Sequence, residues 1–134
     1  MGERLRQRGA LPDLLLTSPA VRAHRTASLI ATALGYSPAQ VRLDPALYLA
    51  SPAALLGVVA RQSATVRCLL LVAHNPGLTD LANQLLPDLA LDNLPTGAVV
   101  AIDFDAQNWA ALPRAPRHLV YYDFPKNAAA VTLS

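Results

Sequence analysis

The sequence predicts an α/β domain: a three-layer αβα sandwich with a mostly parallel sheet and antiparallel strands near the C-terminus. Three observations predict it. Two short apolar runs, Leu14-Leu15-Leu16-Thr17 and Leu69-Leu70-Leu71-Val72-Ala73, read as buried parallel strands. Each run ends at a chain break that opens a helical pattern, Ser18-Pro19 after the first and His74-Asn75-Pro76-Gly77 after the second. From Ala98 to Phe104 the pattern changes to strand-like alternation, which marks the antiparallel part.

The elements follow in order. Residues 1–9 are polar and basic, with Leu5 the main apolar side chain, and read as the exposed end of a helix stopped by Gly9. Leu11-Pro12-Asp13 connects to a strand over 14–17. Ser18 is a good N-cap and Pro19 suits the first helical position. Val21, Leu29, Ile30, Ala33 and Leu34 then give an apolar face up to the stop at Gly35. Val41-Arg42-Leu43 is a short strand, and Asp44-Pro45 opens a single turn through Tyr48. Ser51-Pro52 caps a helix over 52–62. A strand is expected over 65–73, and a helix over 77–86 carries Leu78, Leu81, Ala82 and Leu85 at helical spacing. Residues 98–104 are expected to pair with 109–112 as a hairpin through the turn Asp105-Ala106-Gln107-Asn108. One more strand spans 118–122, and the last ten residues read as an irregular tail. There is no internal repeat or interdomain linker, so residues 1–134 form one domain.

Composition narrows the function. Apolar residues make up 53% and charged residues 15% of 134, which predicts a well-filled core. A net charge of +2 is too small to imply nucleic acid or a membrane surface as partner. No run approaches the roughly 20 apolar residues of a membrane span. The opening residues lack a charged-then-apolar leader pattern, so the cytoplasm is the expected location. Cys68 is the single cysteine; it excludes an internal disulfide and reads as a buried thiol rather than a nucleophile.

Two side chains stand where chemistry is expected. His74 lies where the carboxyl end of a strand meets the amino end of a helix, the place where open α/β sheets hold ligands and helix amides favour an anion. Arg22 lies one turn into the helix that follows the other strand, and its planar fork matches two phosphate oxygens. Taken alone, each has a plain alternative: His74 as a turn cap, Arg22 as a solvated surface cation. Together at two equivalent junctions, they suggest phosphoryl chemistry. Arg25 and Thr26 fall within about 60° of Arg22 on the helix, whereas His24 faces away. His118 reads as a surface residue. No Gly-x-Ser-x-Gly elbow, glycine-rich phosphate loop or zinc spacing is present. The nine carboxylates form no close pair ahead of a helix that would hold Mg²⁺, so metal-free transfer through histidine remains and no cofactor is expected.

These residues carry a family resemblance. Ser18-Pro19-Ala20-Val21-Arg22-Ala23-His24-Arg25-Thr26-Ala27 resembles the S-P-x-x-R-A-x-x-T-A motif of the histidine phosphatase superfamily, and Val72-Ala73-His74-Asn75-Pro76-Gly77 resembles its second-histidine motif. Leu47-Tyr48, Pro95-Thr96-Gly97 and Phe124-Pro125-Lys126 resemble the small SixA-type phosphohistidine phosphatases, and the likeness covers essentially the whole chain. It implies a phosphoglycerate mutase-like sandwich and a covalent phosphohistidine intermediate hydrolysed by water. It also implies that Arg22 clamps the phosphate, that His74 stabilises the transition state, and that Ser18, Asn75 and Thr96 complete the phosphate site.

One departure is plain. The family's attacking histidine sits in an Arg-His-Gly tripeptide at the end of a first strand, and these 134 residues contain no Arg-His-Gly. The expectation is a truncated domain, incomplete at the N-terminus, whose first strand lies ahead of Met1. Such a chain would be inactive, and its unpaired strand edges would favour self-association. Between Leu43 and Ala54 the one carboxylate is Asp44, and the absence of a strong general acid suits an imidazole leaving group. A phosphorylated histidine on a protein is therefore the first substrate, and a small phosphomonoester the second. A non-catalytic phosphate-binding or interaction module is the alternative if Met1 is the true start, and a domain with a purely structural His74 is a third.

Overall fold

The strand over Leu14–Thr17 (β1) is buried along its whole length, because its alternate side chains enter two separate cores. In the computed structural model, which describes residues 2–9 and 11–124, Leu15 packs with Leu5, Ile30 and Ala31 on one face. Leu14 and Leu16 pack with Leu47, Leu55, Val58, Leu81 and Leu85 on the other. The first core is covered by helices Gly2–Gln7 (α1) and Val21–Ala33 (α2), and the second by Pro52–Ala60 (α3) and Gly77–Leu85 (α4). Three layers result.

β1 is the middle strand of a three-stranded parallel sheet, between Val41–Leu43 (β2) and Leu69–Val72 (β3). A second, two-stranded antiparallel sheet pairs Val99–Phe104 (β4) with Arg117–Asp123 (β5), with a bulge after Ala101. Among the described residues, β3 pairs with β1 alone and β4 with β5 alone. The four residues of β3 are only half-buried, in contrast to β1.

Several expected boundaries move, each for a local reason. α2 begins at Val21 rather than Pro19, because the Ser18 hydroxyl accepts from the Ala20 amide and turns toward His74 instead of capping the first turn. The strand expected over 65–73 shortens to 69–72: Oδ2 of Asp13 accepts from the amides of Arg67 and Cys68, holding the entry as an irregular segment. The return strand of the hairpin is 117–123, not 109–112. Asn108 caps the Ala111 amide and starts a 3₁₀ turn over Trp109–Arg114, where Trp109 packs at a tilt against Phe104 and donates to the Val66 carbonyl. Cys68 is exposed rather than buried, because it precedes β3 at the open end of the sheet. Gly9 does end α1, in the left-handed region at φ 72°. The tail expected over the last ten residues lies outside the described residues.

Candidate phosphate-binding site

The two parallel strands β1 and β3 lie side by side, with Thr17 opposite Val72, so the residues that follow them meet at one end of the sheet. The backbone continues this pairing for one step, the Ser18 amide donating to the Val72 carbonyl at 2.9 Å. This brings Nε2 of His74 to 2.8 Å from the Ser18 hydroxyl, across 56 residues of sequence. Ser18 is fully buried and His74 half-buried. The ring of Tyr48 meets the imidazole edge-on, with centroids 5.6 Å apart and an interplanar angle of 80°. Tyr48 is presented by a turn in which Asp44 caps the Ala46 amide and Leu49 adopts a left-handed conformation at φ 47°.

His74 opens onto a cleft of about 390 Å³. Arg22, Thr26, Asn75 and Thr96 share its wall, and Leu49 stands at its rim. The rest of the cleft is an apolar trench between β3 and the start of β4, lined by Leu70, Leu71, Val72 and Val99 with Ile30 from α2. None of the lining residues is acidic, and both side chains able to carry positive charge, Arg22 and His74, belong to the polar part. Arg22 is exposed and, among the described residues, its guanidinium makes no ion pair; its carbonyl accepts from the Thr26 hydroxyl. α2 begins at Val21 without a side-chain cap, so the amides of its first turn lack a side-chain partner.

Asn75 and Thr96 are linked through a residue that sequence reading passed over. The Asn75 amide donates to the Leu94 carbonyl at 3.0 Å, and its Oδ1 accepts from the Thr79 hydroxyl at 2.8 Å. The same hydroxyl oxygen accepts from the Leu94 amide at 3.0 Å. Thr79 is buried, and this network fixes the Pro95-Thr96-Gly97 turn over the cleft, with Gly97 at φ 78°. The spacing of Asn75 and Thr79, four residues apart at a helix start, was the available signal. Tyr48 carried no signal of its own beyond the family likeness, and Leu49 carried none.

The other candidates stay outside. Arg25 and His24 are exposed on α2 and do not line the cleft. His118 lies on β5, exposed and 3.7 Å from Asp103. Among the described residues no three His, Cys, Asp or Glu side chains gather as a metal site. No helix among them is long and apolar enough to cross a membrane.

No family model and no curated protein matches the sequence. Solved structures do. A structure assigned as the phosphohistidine phosphatase SixA of Nakamurella multipartitia is 26% identical with a TM-score of 0.66, over 93% of this chain and 77% of that one. The crystal structure assigned as SixA of Agrobacterium tumefaciens aligns at a TM-score of 0.75 and 24% identity, over 92% of this chain and 75% of its own. A protein histidine phosphatase SixA complexed with tungstate aligns at a TM-score of 0.70 and 19% identity, over 94% and 77%. The latter two speak for the fold alone. In its fold, and in the motifs around Arg22 and His74, the chain is similar to these SixA structures.

Proposed function

We propose that this domain is a phosphohistidine phosphatase that binds the phosphoryl group of a histidine-phosphorylated protein at Arg22 and His74 without a metal ion. One observation carries the reading: the cleft joins an arginine and a histidine at adjacent strand ends with no carboxylate beside them. A phosphoryl group in flight carries its charge on three oxygens, and catalysis is mainly charge stabilisation and alignment. The guanidinium of Arg22 takes two of those oxygens, and His74 donates to the third. Thr96 and the uncapped amides at the start of α2 complete the anion site.

The reading calls for an attacking imidazole other than His74 at this cleft. It forms a bond to phosphorus as the bond to the substrate's ring nitrogen breaks, and the departing imidazole takes a proton from solvent. Water then attacks the phosphohistidine so formed, releasing inorganic phosphate and restoring the imidazole. An imidazole leaves readily, so the lack of a carboxylic acid in the cleft favours phosphohistidine over a phosphomonoester. The shallow, apolar-rimmed opening at Tyr48 and Leu49 suits a protein substrate.

A second reading, a phosphate-binding module without turnover, is favoured by the fact that His74 is the one histidine of the three that lines the cleft. In that state the open edges of β3 and β4 support self-association by strand pairing, which sedimentation reads as a mass that rises with concentration. The deciding experiment measures phosphate release from a phosphohistidine protein. The 134-residue chain is expected to bind inorganic phosphate with no turnover. A form extended by a strand ending in Arg-His-Gly is expected to hydrolyse it and to lose activity on Arg22→Ala or His74→Ala. Equal turnover after both changes would sink the phosphatase assignment.

A further inference from the structure

The Ser18 hydroxyl is fully buried and has two neighbours among the described residues. It accepts a long hydrogen bond from the Ala20 amide at 3.3 Å, which uses an oxygen lone pair and leaves the hydroxyl proton to be placed. The group is closed to solvent, and among the described residues the one acceptor within range of that proton is Nε2 of His74 at 2.8 Å. A buried donor left without an acceptor is costly, so the proton goes to the imidazole. Nε2 must then be the unprotonated nitrogen of the neutral ring, and the ring proton lies on Nδ1.

Nδ1 makes no hydrogen bond among the described residues, yet no buried side-chain nitrogen or oxygen lacks a partner. Nδ1 is therefore open to solvent, on a ring that lines the cleft. We infer that Ser18 is a positioning residue that locks neutral His74 in its Nδ1–H form, so that the imidazole offers a donor to an anion in the cleft without first gaining a proton. Tyr48, packed edge-on against the ring, resists rotation away from this pose. The opposite tautomer would turn a lone pair toward the anion and repel it. In this arrangement Ser18 acts on the phosphoryl group through His74 rather than by touching it. The inference rests on the phosphate-site reading for its purpose, but not for its geometry.

The test is ¹⁵N nuclear magnetic resonance on protein labelled in histidine, at about pH 9, where an ordinary imidazole is neutral. The parent protein is expected to show a protonated Nδ1 and an unprotonated Nε2 for His74. Ser18→Ala is expected to shift the ring toward Nε2–H, the form that free imidazole side chains favour, and to weaken inorganic phosphate binding about tenfold at the same pH. Ser18→Thr, which keeps the hydroxyl, is expected to keep Nδ1–H. A parent ring in the Nε2–H form overturns the assignment, and so does an Nδ1–H ring that persists in Ser18→Ala. The parent spectrum alone decides the tautomer should Ser18→Ala fail to fold. An extended form that turns over no phosphohistidine, with the tautomer as described, would refute the phosphatase reading and leave this inference standing.

Discussion

The guanidinium of Arg4 donates to Oδ1 of Asp123 at 2.7 Å, tying the first helix to the last strand across 119 residues of sequence. The carboxylate is buried, and Oδ2 lies 3.5 Å from Arg8, whose guanidinium also stacks 4.2 Å above the Tyr121 ring. Because no strand among the described residues joins β4–β5 to the parallel sheet, these contacts, with Trp109 on Val66 and Arg117 on the Leu85 carbonyl, hold the hairpin to the rest of the domain. The β4 wall of the cleft depends on them.

Arg4→Met is the first prediction. It leaves the buried Asp123 carboxylate with the longer Arg8 contact and the Phe124 amide. Removing one partner of a buried ion pair costs several kcal/mol, and the partial exposure of Arg4 discounts this to about 2–3 kcal/mol. Urea unfolding should show that loss. A midpoint unchanged from the parent would mean that the pair does not anchor the hairpin.

Gly77 opens α4 directly behind His74, and a Cβ built there runs into the carbonyl oxygen of Ala50. That obstacle is backbone and cannot swing away. Gly77→Ala must push α4 and the Tyr48–Ala50 turn apart, so two walls of the His74 pocket separate together. The expected cost is about 3 kcal/mol, the upper end for overpacking, with weaker phosphate binding beside it. A Gly77→Ala protein as stable as the parent would show that this junction yields more readily than its packing suggests.

Alkaline pH gives a third. Although Cys68 is exposed at the surface, partial desolvation raises its thiol above the ordinary value of 9.0, and Asp13 and Asp103 add to the rise. Burial also lifts the Tyr121 phenol above 10.0, against the opposing effect of Arg8, with Cys68 and Asp123 adding. Both groups therefore ionise at lower pH in the unfolded chain than in the folded one. Above about pH 8.5 the unfolded chain binds fewer protons, and stability falls as pH rises through the folded values. The urea midpoint should drop as pH rises from about 8.5 to beyond about 10, and Cys68→Ser with Tyr121→Phe should flatten the decline. A midpoint that holds steady in the parent contradicts the argument.

What was legible in the sequence follows from distance along the chain. The buried strands, the two strand-to-helix junctions and the pairing of Arg22 with His74 are written in local apolar runs and breaks. Ser18 was legible as a helix cap by its local neighbours, but its hydroxyl turns to a residue 56 positions away, which no local pattern records. The same holds for Thr79, whose partner Leu94 lies 15 residues on, and for the hairpin. There Trp109 follows the Val66 carbonyl into a 3₁₀ turn and leaves 117–123 to pair with β4. Alternation told that a strand follows β4, but not which of two candidates packs against it.

Arg22 supplies the last prediction, and it separates binding from stability. Its side chain is exposed and its main tie to the fold is a carbonyl that accepts from Thr26, so Arg22→Ala should change stability by no more than about 0.5 kcal/mol. The same change removes the forked donor from the cleft. A charge-assisted hydrogen bond is worth about 1.5–3 kcal/mol, and solvent exposure argues for the lower figure, so inorganic phosphate should bind at least about tenfold more weakly. Arg22→Lys keeps the charge but loses the planar fork, and is expected to recover part of the affinity and not all of it. Calorimetric titration of the three proteins with phosphate, beside their thermal unfolding, makes the comparison. Equal affinity in all three would show that the anion site does not include Arg22.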